Sequence, residues 1–130
     1  MPTVRAALAE AIAAAVAPTQ PGVQVYGHPE DVTQLPAIVL VPDDVWAEPA
    51  SFGSGAQVVK WAFQVSIAAH RADVESAMDL IEELRTLITQ GVGTLGGRWV
   101  TLSKPDTIEL AGIQALASFM AIELLTERQT

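Results

Sequence analysis

The chain has no cysteine among its 130 residues and few residues of several other types. The absence of cysteine excludes disulfides, thiolate catalysis and cysteine-ligated metals. Aromatic residues make up only 5% of the chain, so each large ring carries an unusual share of the area that can be buried. Seven basic residues stand against fifteen acidic ones, a net charge of −8. This balance argues against general nucleic-acid binding, which needs clustered lysine and arginine.

Long hydrophobic runs are also lacking. The alanine-rich N-terminus, residues 1–18, is interrupted by Arg5 and Glu10, and it is too short and too weakly apolar for a membrane helix or a signal peptide. Val4, Leu8, Ile12 and Val16 recur every four residues instead, so we expect a helix that Thr3 caps and that ends near Val16. No membrane partner is expected.

The clearest pattern present is an alternation over residues 57–70, QVVKWAFQVSIAAH. It predicts a strand on the order of 45 Å long, well above the common length of about 5 to 6 residues. One side is apolar from Val59 to Ala69 and is predicted to be core. The other side carries Lys60, Gln64 and Ser66 and is predicted to face a neighbouring subunit or a channel.

The other elements follow from periodicity, turn residues and caps. A second helix is predicted from Asp73 to Gln90, stopped by Gly91. Further strands are predicted at residues 23–26, 35–41 (closed by Pro42), 98–103, 108–110 and 115–125. This order predicts a single α+β domain over residues 1–130, with two main helices packed on a mostly antiparallel sheet that includes a long hairpin.

The connection over residues 43–56, DDVWAEPASFGSGA, is predicted to be the tip of that hairpin and the main contact element. Its Trp46 and Phe52 are costly to leave in water, since a large aromatic ring buries about 150 Å² or more. They therefore fold back on the sheet or meet a partner. Asp43 and Asp44 stand at the strand exit and join the predicted interface.

The closing strand is apolar on both faces. Met120 and its even-numbered neighbours form one face, and the other face carries Phe119 and Glu123 among small or apolar residues. Because antiparallel strands commonly keep one face in water, we expect a helix to cover one face and a neighbouring subunit the other. Phe119 and Glu123 thus complete the predicted interface.

Candidate chemistry is sparse. His28, in the segment HPED, and His70 could serve as bases or metal ligands, and Asp43 with Asp44 could do acid–base work or bind a hard cation. Solvated turns explain these residues better. The glycine-rich segment GVGTLGG follows a helix rather than preceding one and lacks the ending of a phosphate loop. We predict no catalytic residues, no cofactor and no metal.

Three stretches resemble the small tail-assembly proteins of long-tailed bacteriophages. They are YGHPEDVTQLPAIVLVPDD, VVKWAFQVSIAAHRADVESAMDLIEELRTLI and IQALASFMAIELLT, which together span most of the chain. The most similar type is the tail terminator, also called the tail completion or neck protein. The resemblance rests on the order of elements and on local sequence character, and no single motif is a unique signature.

The resemblance implies a non-enzymatic virion protein of the tail neck, assembled in the host cytoplasm. Such proteins form hexameric rings that cap the tail tube, end its polymerisation and provide the surface that joins the head. The implied partners are copies of the chain itself, the tail tube protein and a head-completion or connector protein. DNA passes through the ring without specific binding, and acidic residues facing the channel would favour that passage.

Two other classes of function remain open at this point, besides a host-encoded oligomeric binding module of unknown ligand. One is a different virion part, either a head–tail connector or a tail tube subunit, of which the tube subunit would polymerise into stacks by itself. The other is a small oligomeric α+β enzyme with Asp43, Asp44, His28 or His70 at a subunit junction.

Overall fold

The computed structural model describes residues 3–49 and 58–127. The elements in chain order are α1 (Val4–Val16), β1 (Gln24–Tyr26), a one-turn 3₁₀ helix (Pro29–Asp31), β2 (Ala37–Pro49), β3 (Val58–Ala69), α2 (Val74–Gly93), β4 (Arg98–Leu102), β5 (Asp106–Leu110) and β6 (Ile113–Glu127). Two helices and a mostly antiparallel sheet confirm the predicted α+β class. Phe52 lies outside the described residues.

All six described strands join one sheet, in the order β1-β2-β3-β6-β4, with β5 also paired to β6. β1 and β2 are parallel, and the other pairs are antiparallel. β3 pairs with β6 over all twelve of its residues, which makes it about 40 Å long. The predicted overlong strand is therefore confirmed over its described residues, and its C-terminal end, at Ala69, lies one residue before the predicted limit.

Both helices begin at the predicted caps. The Thr3 side chain accepts a hydrogen bond from the amide of Ala6, and the Asp73 carboxylate accepts one from the amide of Ser76. These bonds satisfy amides that have no partner inside the helix. The predicted end of the second helix at Gln90 is wrong, since α2 continues to Gly93. Gly91 serves a close approach of the helices instead, because a Cβ there would lie 2.7 Å from the carbonyl oxygen of Ala11.

The second strand also runs further than predicted. Pro42 does not close β2, which continues to Pro49, with a register shift against β3 between Pro42 and Ala47. β1 pairs with β2 only as far as Val39. Beyond that point β2 is an edge strand, where a proline without an amide N–H and a bulge are both tolerated. Half of the predicted connecting loop is therefore strand.

The core has two parts on opposite faces of the sheet. The larger part lies between the sheet and the helices and includes Leu8, Ile81 and Phe63. The smaller part lies on the other face, where Val32 from the loop after the 3₁₀ helix and Leu110 of β5 pack near Ala68. This second cluster reaches only one end of the long strands.

The sheet consequently has two different halves. In the closed half, residues 37–40 of β2, 65–69 of β3 and 115–118 of β6 are buried on both faces. The open half consists of residues 41–49 of β2, 58–64 of β3, 119–126 of β6 and all of β4. Its buried side chains all point to the helix side. They are Phe63, Met120, Ile122 and Leu124.

Candidate interaction surface on the open half

Four charged side chains cross the open half on the face away from the helices, one from each strand. Lys60 of β3 lies between Glu48 of β2, at 3.6 Å, and Glu123 of β6, at 3.1 Å. Arg98 of β4 donates from Nε to the Glu123 carboxylate at 2.7 Å. The strand register produces this row, because Glu48 stands opposite Lys60 and Arg98 stands opposite Glu123. The charges alternate in sign across the sheet.

These contacts shift two titrations in opposite directions. The hydrogen bond from Arg98, with support from Lys60, holds the pKa of Glu123 below its ordinary value. The hydrogen bond to Glu123 raises the pKa of Lys60. Both shifts favour the charged forms of Lys60 and Glu123, which gives the open face a surface compatible with water.

A shallow cavity of about 310 Å³ lies beside this row. Asp43, Asp44 and Val45 of the β2 bulge line one side, and Val100 of β4 lines the other. Asp43 accepts a hydrogen bond from the amide of Asp44 at 2.9 Å, as in a turn. In the described parts of the chain, no cation lies within ion-pair distance of either aspartate. The bulge therefore presents uncompensated negative charge next to exposed valines.

Trp46 folds back on the sheet, which was one of the two predicted alternatives. Its ring meets Trp61 and Phe63 edge to face, with centroids 6.0 and 6.5 Å apart. Trp61 is itself fixed by a 2.8 Å hydrogen bond from its indole N–H to the Thr126 hydroxyl. Trp46 nevertheless remains 46% exposed. The contact leaves a large apolar surface on the outer edge of β2.

The other predicted interface residues divide between the two halves. Gln64 and Phe119 are half-buried in the open half, beside the charged row. Ser66 lies in the closed half and is 8% exposed, so its part of the predicted surface is closed within the chain. The reason is the second core, which covers this end of β3 and could not be anticipated from the alternation alone.

A second cavity, of about 540 Å³, lies on the helix side between α2 and β4. Met78, Trp99 and the fully buried Ser118 are among its lining residues. The guanidinium of Arg85 lies 5.0 Å from the centre of the Trp99 ring. Within the described residues the Ser118 hydroxyl has no hydrogen-bond partner. Sequence reasoning missed this cavity, because it depends on how α2 crosses the edge strand.

The residues of the enzyme hypothesis are not brought to one place. Asp43 follows Pro42, which pairs with Phe63 of β3. His70 follows Ala69, the last residue of β3. The stretch of β3 from Phe63 to Ala69 is about 20 Å long and separates the two. His28 caps the 3₁₀ helix by accepting a hydrogen bond from the amide of Glu30. Among the residues that the structure describes, no group of three potential ligands could hold a metal ion.

Comparisons with known proteins do not assign a family. Neither a scan against protein-family models nor a search of curated proteins found a match. No helix within residues 3–49 and 58–127 is long and apolar enough to cross a membrane.

Proposed function

We propose that this chain is a structural protein of bacteriophage tails, a terminator that forms a ring on the end of the tail tube. The ring ends tube polymerisation and offers the surface to which the head is joined. The observation that carries the proposal is the open half of the sheet. Three long strands extend beyond the second core and leave one face and two edges for contact with other subunits.

The chemistry of the open half supports an assembly role. Eight large apolar side chains are exposed in the described chain, and five of them belong to the open half: Val45, Trp46, Trp99, Val100 and Leu125. Charged residues stand among them in a satisfied row. Exposed aromatic side chains and arginine, here Trp46, Trp99 and Arg98, are residue types enriched at interfaces between proteins.

The acidic composition fits a conduit for DNA. With fifteen acidic and seven basic residues, a ring of this chain would repel phosphate over most of its surface. DNA could then slide through such a ring without being held by counterion release. The terminator role is favoured over that of a tube subunit on the resemblance stated above.

The test is a mass measurement in solution combined with negative-stain microscopy, with and without tail tubes of the matching phage. We expect single rings that sit on tube ends and stop elongation. Long stacks formed by the protein alone would identify a tube subunit instead. A compact monomer or dimer that ignores tubes and binds a small molecule would contradict the proposal.

An alanine series provides the second arm of this test. Asp43→Ala, Asp44→Ala, His28→Ala and His70→Ala each remove a group that the enzyme hypothesis requires. Because His28 and His70 lie outside the open half, we expect both of their variants to cap tubes as the wild type does. Loss of capping in a folded His70→Ala variant would contradict a purely structural role.

A further inference from the structure

We infer that copies of this chain associate head to tail through the two free edges of the open half, β4 of one copy beside the outer part of β2 of the next. The inference deepens the proposed function, on which its ring geometry rests, by naming the contact between subunits. It is argued from the position, direction, charge and apolar surface of the two edges.

The two edges lie at the same position along the strands, on opposite sides of one sheet. Pro42 stands opposite Phe63, Phe63 opposite Ile122, and Ile122 opposite Trp99. At this level the sheet is four strands wide, about 14 Å between its outer strands. No strand of the described chain pairs with the outer side of β4 or with β2 beyond Val39. A flat contact can therefore use both edges without displacing any part of the fold.

The strand directions allow the contact. β2 and β3, β3 and β6, and β6 and β4 are each antiparallel, so β4 runs opposite to β2. Placing the β2 edge of a second copy beside β4 continues the alternation. The contact joins two different surfaces and is heterologous, the type that closes into a ring when the rotation per subunit permits.

The charges of the two edges are complementary. The outer part of β2 carries Asp43, Asp44 and Glu48 and no basic residue, whereas β4 and the turn after it carry Arg98 and Lys104 and no acidic residue up to Pro105. The Arg98 side chain is 75% exposed despite its bond to Glu123. A like-edge pair, β2 with β2, would oppose carboxylates to carboxylates, so the charges favour unlike edges.

Apolar surface on the helix side is complementary as well. Trp46 projects from the β2 edge with 46% of its surface exposed, and its contacts with Trp61 and Phe63 place it on the helix side. The 540 Å³ cavity beside β4, lined by Trp99 and Met78, lies on the same side. The neighbour's Trp46 would therefore approach this cavity when the edges meet.

The edges also differ in how they restrict backbone pairing. Pro42 and Pro49 lack amide N–H groups, so neither residue can donate a ladder hydrogen bond to a further strand. β4 contains no proline, and its Trp, Val and Thr are residues that favour strands, although its own register against β6 also shifts between Trp99 and Thr101. A free edge of this composition readily accepts another strand. The β2 prolines and the bulge reduce the number of registers in which that strand can pair.

The absence of cysteine makes a direct cross-linking test possible. Val45 of the β2 edge and Val100 of the β4 edge are 58% and 48% exposed, so Val45→Cys and Val100→Cys should fold. Concentrated protein at low ionic strength is treated with a short bis-maleimide. We expect a covalent dimer when the two variants are mixed and little when either is alone; the doubly substituted chain is not used, because Val45 and Val100 line the same cavity and could be joined within one chain.

A matched control uses Val74→Cys, since Val74 is 52% exposed but lies at the start of α2. Mixed with Val45→Cys it should give no dimer. A dominant dimer from Val100→Cys alone would show a symmetric β4–β4 contact and overturn the inference. Absence of the mixed dimer at every concentration, with and without tubes, would overturn it too.

The charge complementarity of the two edges is tested by the yield of the same cross-linked dimer. Asp43→Asn with Asp44→Asn removes two charges from the β2 edge, and Glu30→Gln with Asp31→Asn removes two from the exposed 3₁₀ helix. We expect the first pair to lower the yield of mixed dimer several-fold and the second to leave it unchanged. Equal yields from both pairs would remove charge complementarity from the argument and contradict the inference.

The outcomes separate this contact from the proposed function. Rings on tube ends that lack the mixed cross-link would reject the edge contact and leave the terminator role intact. Mixed cross-links from a protein that never caps tubes would support the edge contact and reject the terminator role.

Discussion

The closed and open halves of the sheet are built from the same three long strands and differ in what covers them. In the closed half, Ala68 of β3 and Ala117 of β6 are fully buried on the face away from the helices. Six to eight residues along the same faces, Lys60 and Glu123 are only half-buried and bear charges. The local loop around Val32 and β5 supply the cover at one end and stop there.

The difference teaches that strand length and core size are separate properties of this chain. A strand of twelve residues is kept in register along its whole length by β6, so backbone pairing does not need a second core. The open face then carries side chains that satisfy one another. Such a face is stable in water without cover from another part of the described chain.

The largest expected difference in unfolding free energy is between a leucine of the closed half and a leucine of the open half. Leu40 of the closed half is 1% exposed and Leu125 of the open half is 57% exposed. We expect Leu40→Ala to lower the free energy of unfolding by about 2–5 kcal/mol, because it leaves a cavity. Leu125→Ala should change it by no more than about 0.5 kcal/mol. Urea denaturation of both variants provides the measurement.

Equal losses from these two leucine substitutions would mean that the open half is covered in solution. Repeating the titration at several protein concentrations then distinguishes a covered monomer from a self-associated state, since only the second depends on concentration.

A smaller effect is expected from adding volume at matched alanines. Ala68 and Ala62 lie on the same face of β3, but Ala68 is fully buried under the second core and Ala62 lines the open cavity. Ala68→Leu should cost about 1–3 kcal/mol through overpacking. Ala62→Leu should be nearly neutral for unfolding. If Ala62→Leu also destabilised the isolated chain, the cavity beside the charged row would be filled rather than open.

The sequence predicts the helices and the long strand because their signals are local. Periodicity and the caps Thr3 and Asp73 locate the start of each helix, and alternation locates the C-terminal end of β3 within one residue. The same local reasoning fails at Gly91 and Pro42. It interprets both residues as stops, whereas Gly91 serves a helix–helix approach and Pro42 precedes a bulge on an edge strand.

The candidate surface is predictable in part. Alternation places Lys60 and Gln64 together on one face, and Glu123 joins them because β6 lies beside β3. The partner Arg98 and the burial of Ser66 depend on strand order and on the second core, which involve contacts far apart in sequence. No pattern along the chain records which strand becomes β3's neighbour, so these features required the structure.

The smallest expected loss of stability comes from a substitution in the charged row of the open half. Glu123→Gln keeps the shape of the side chain but removes the charge that Arg98 and Lys60 share. Near neutral pH we expect a loss of about 0.5–1 kcal/mol, the range of exposed or partly exposed ion pairs. Glu48→Gln should cost less, since the Glu48 side chain is 50% exposed and meets Lys60 alone.

The stabilisation by Glu123 is expected to depend on pH, and the direction follows from its pKa. Because the pKa of Glu123 in the folded chain is below its ordinary value of 4.5, the unfolded state binds the proton first as the pH falls. The stabilisation by Glu123 is therefore present above about that value and is lost as the pH drops through the lowered pKa. Wild type and Glu123→Gln should converge in acid when followed by urea denaturation. A difference in stability that stayed constant into acid would show that the loss does not come from the charge of the carboxylate, and the charged row would then not distinguish the open half from the closed one.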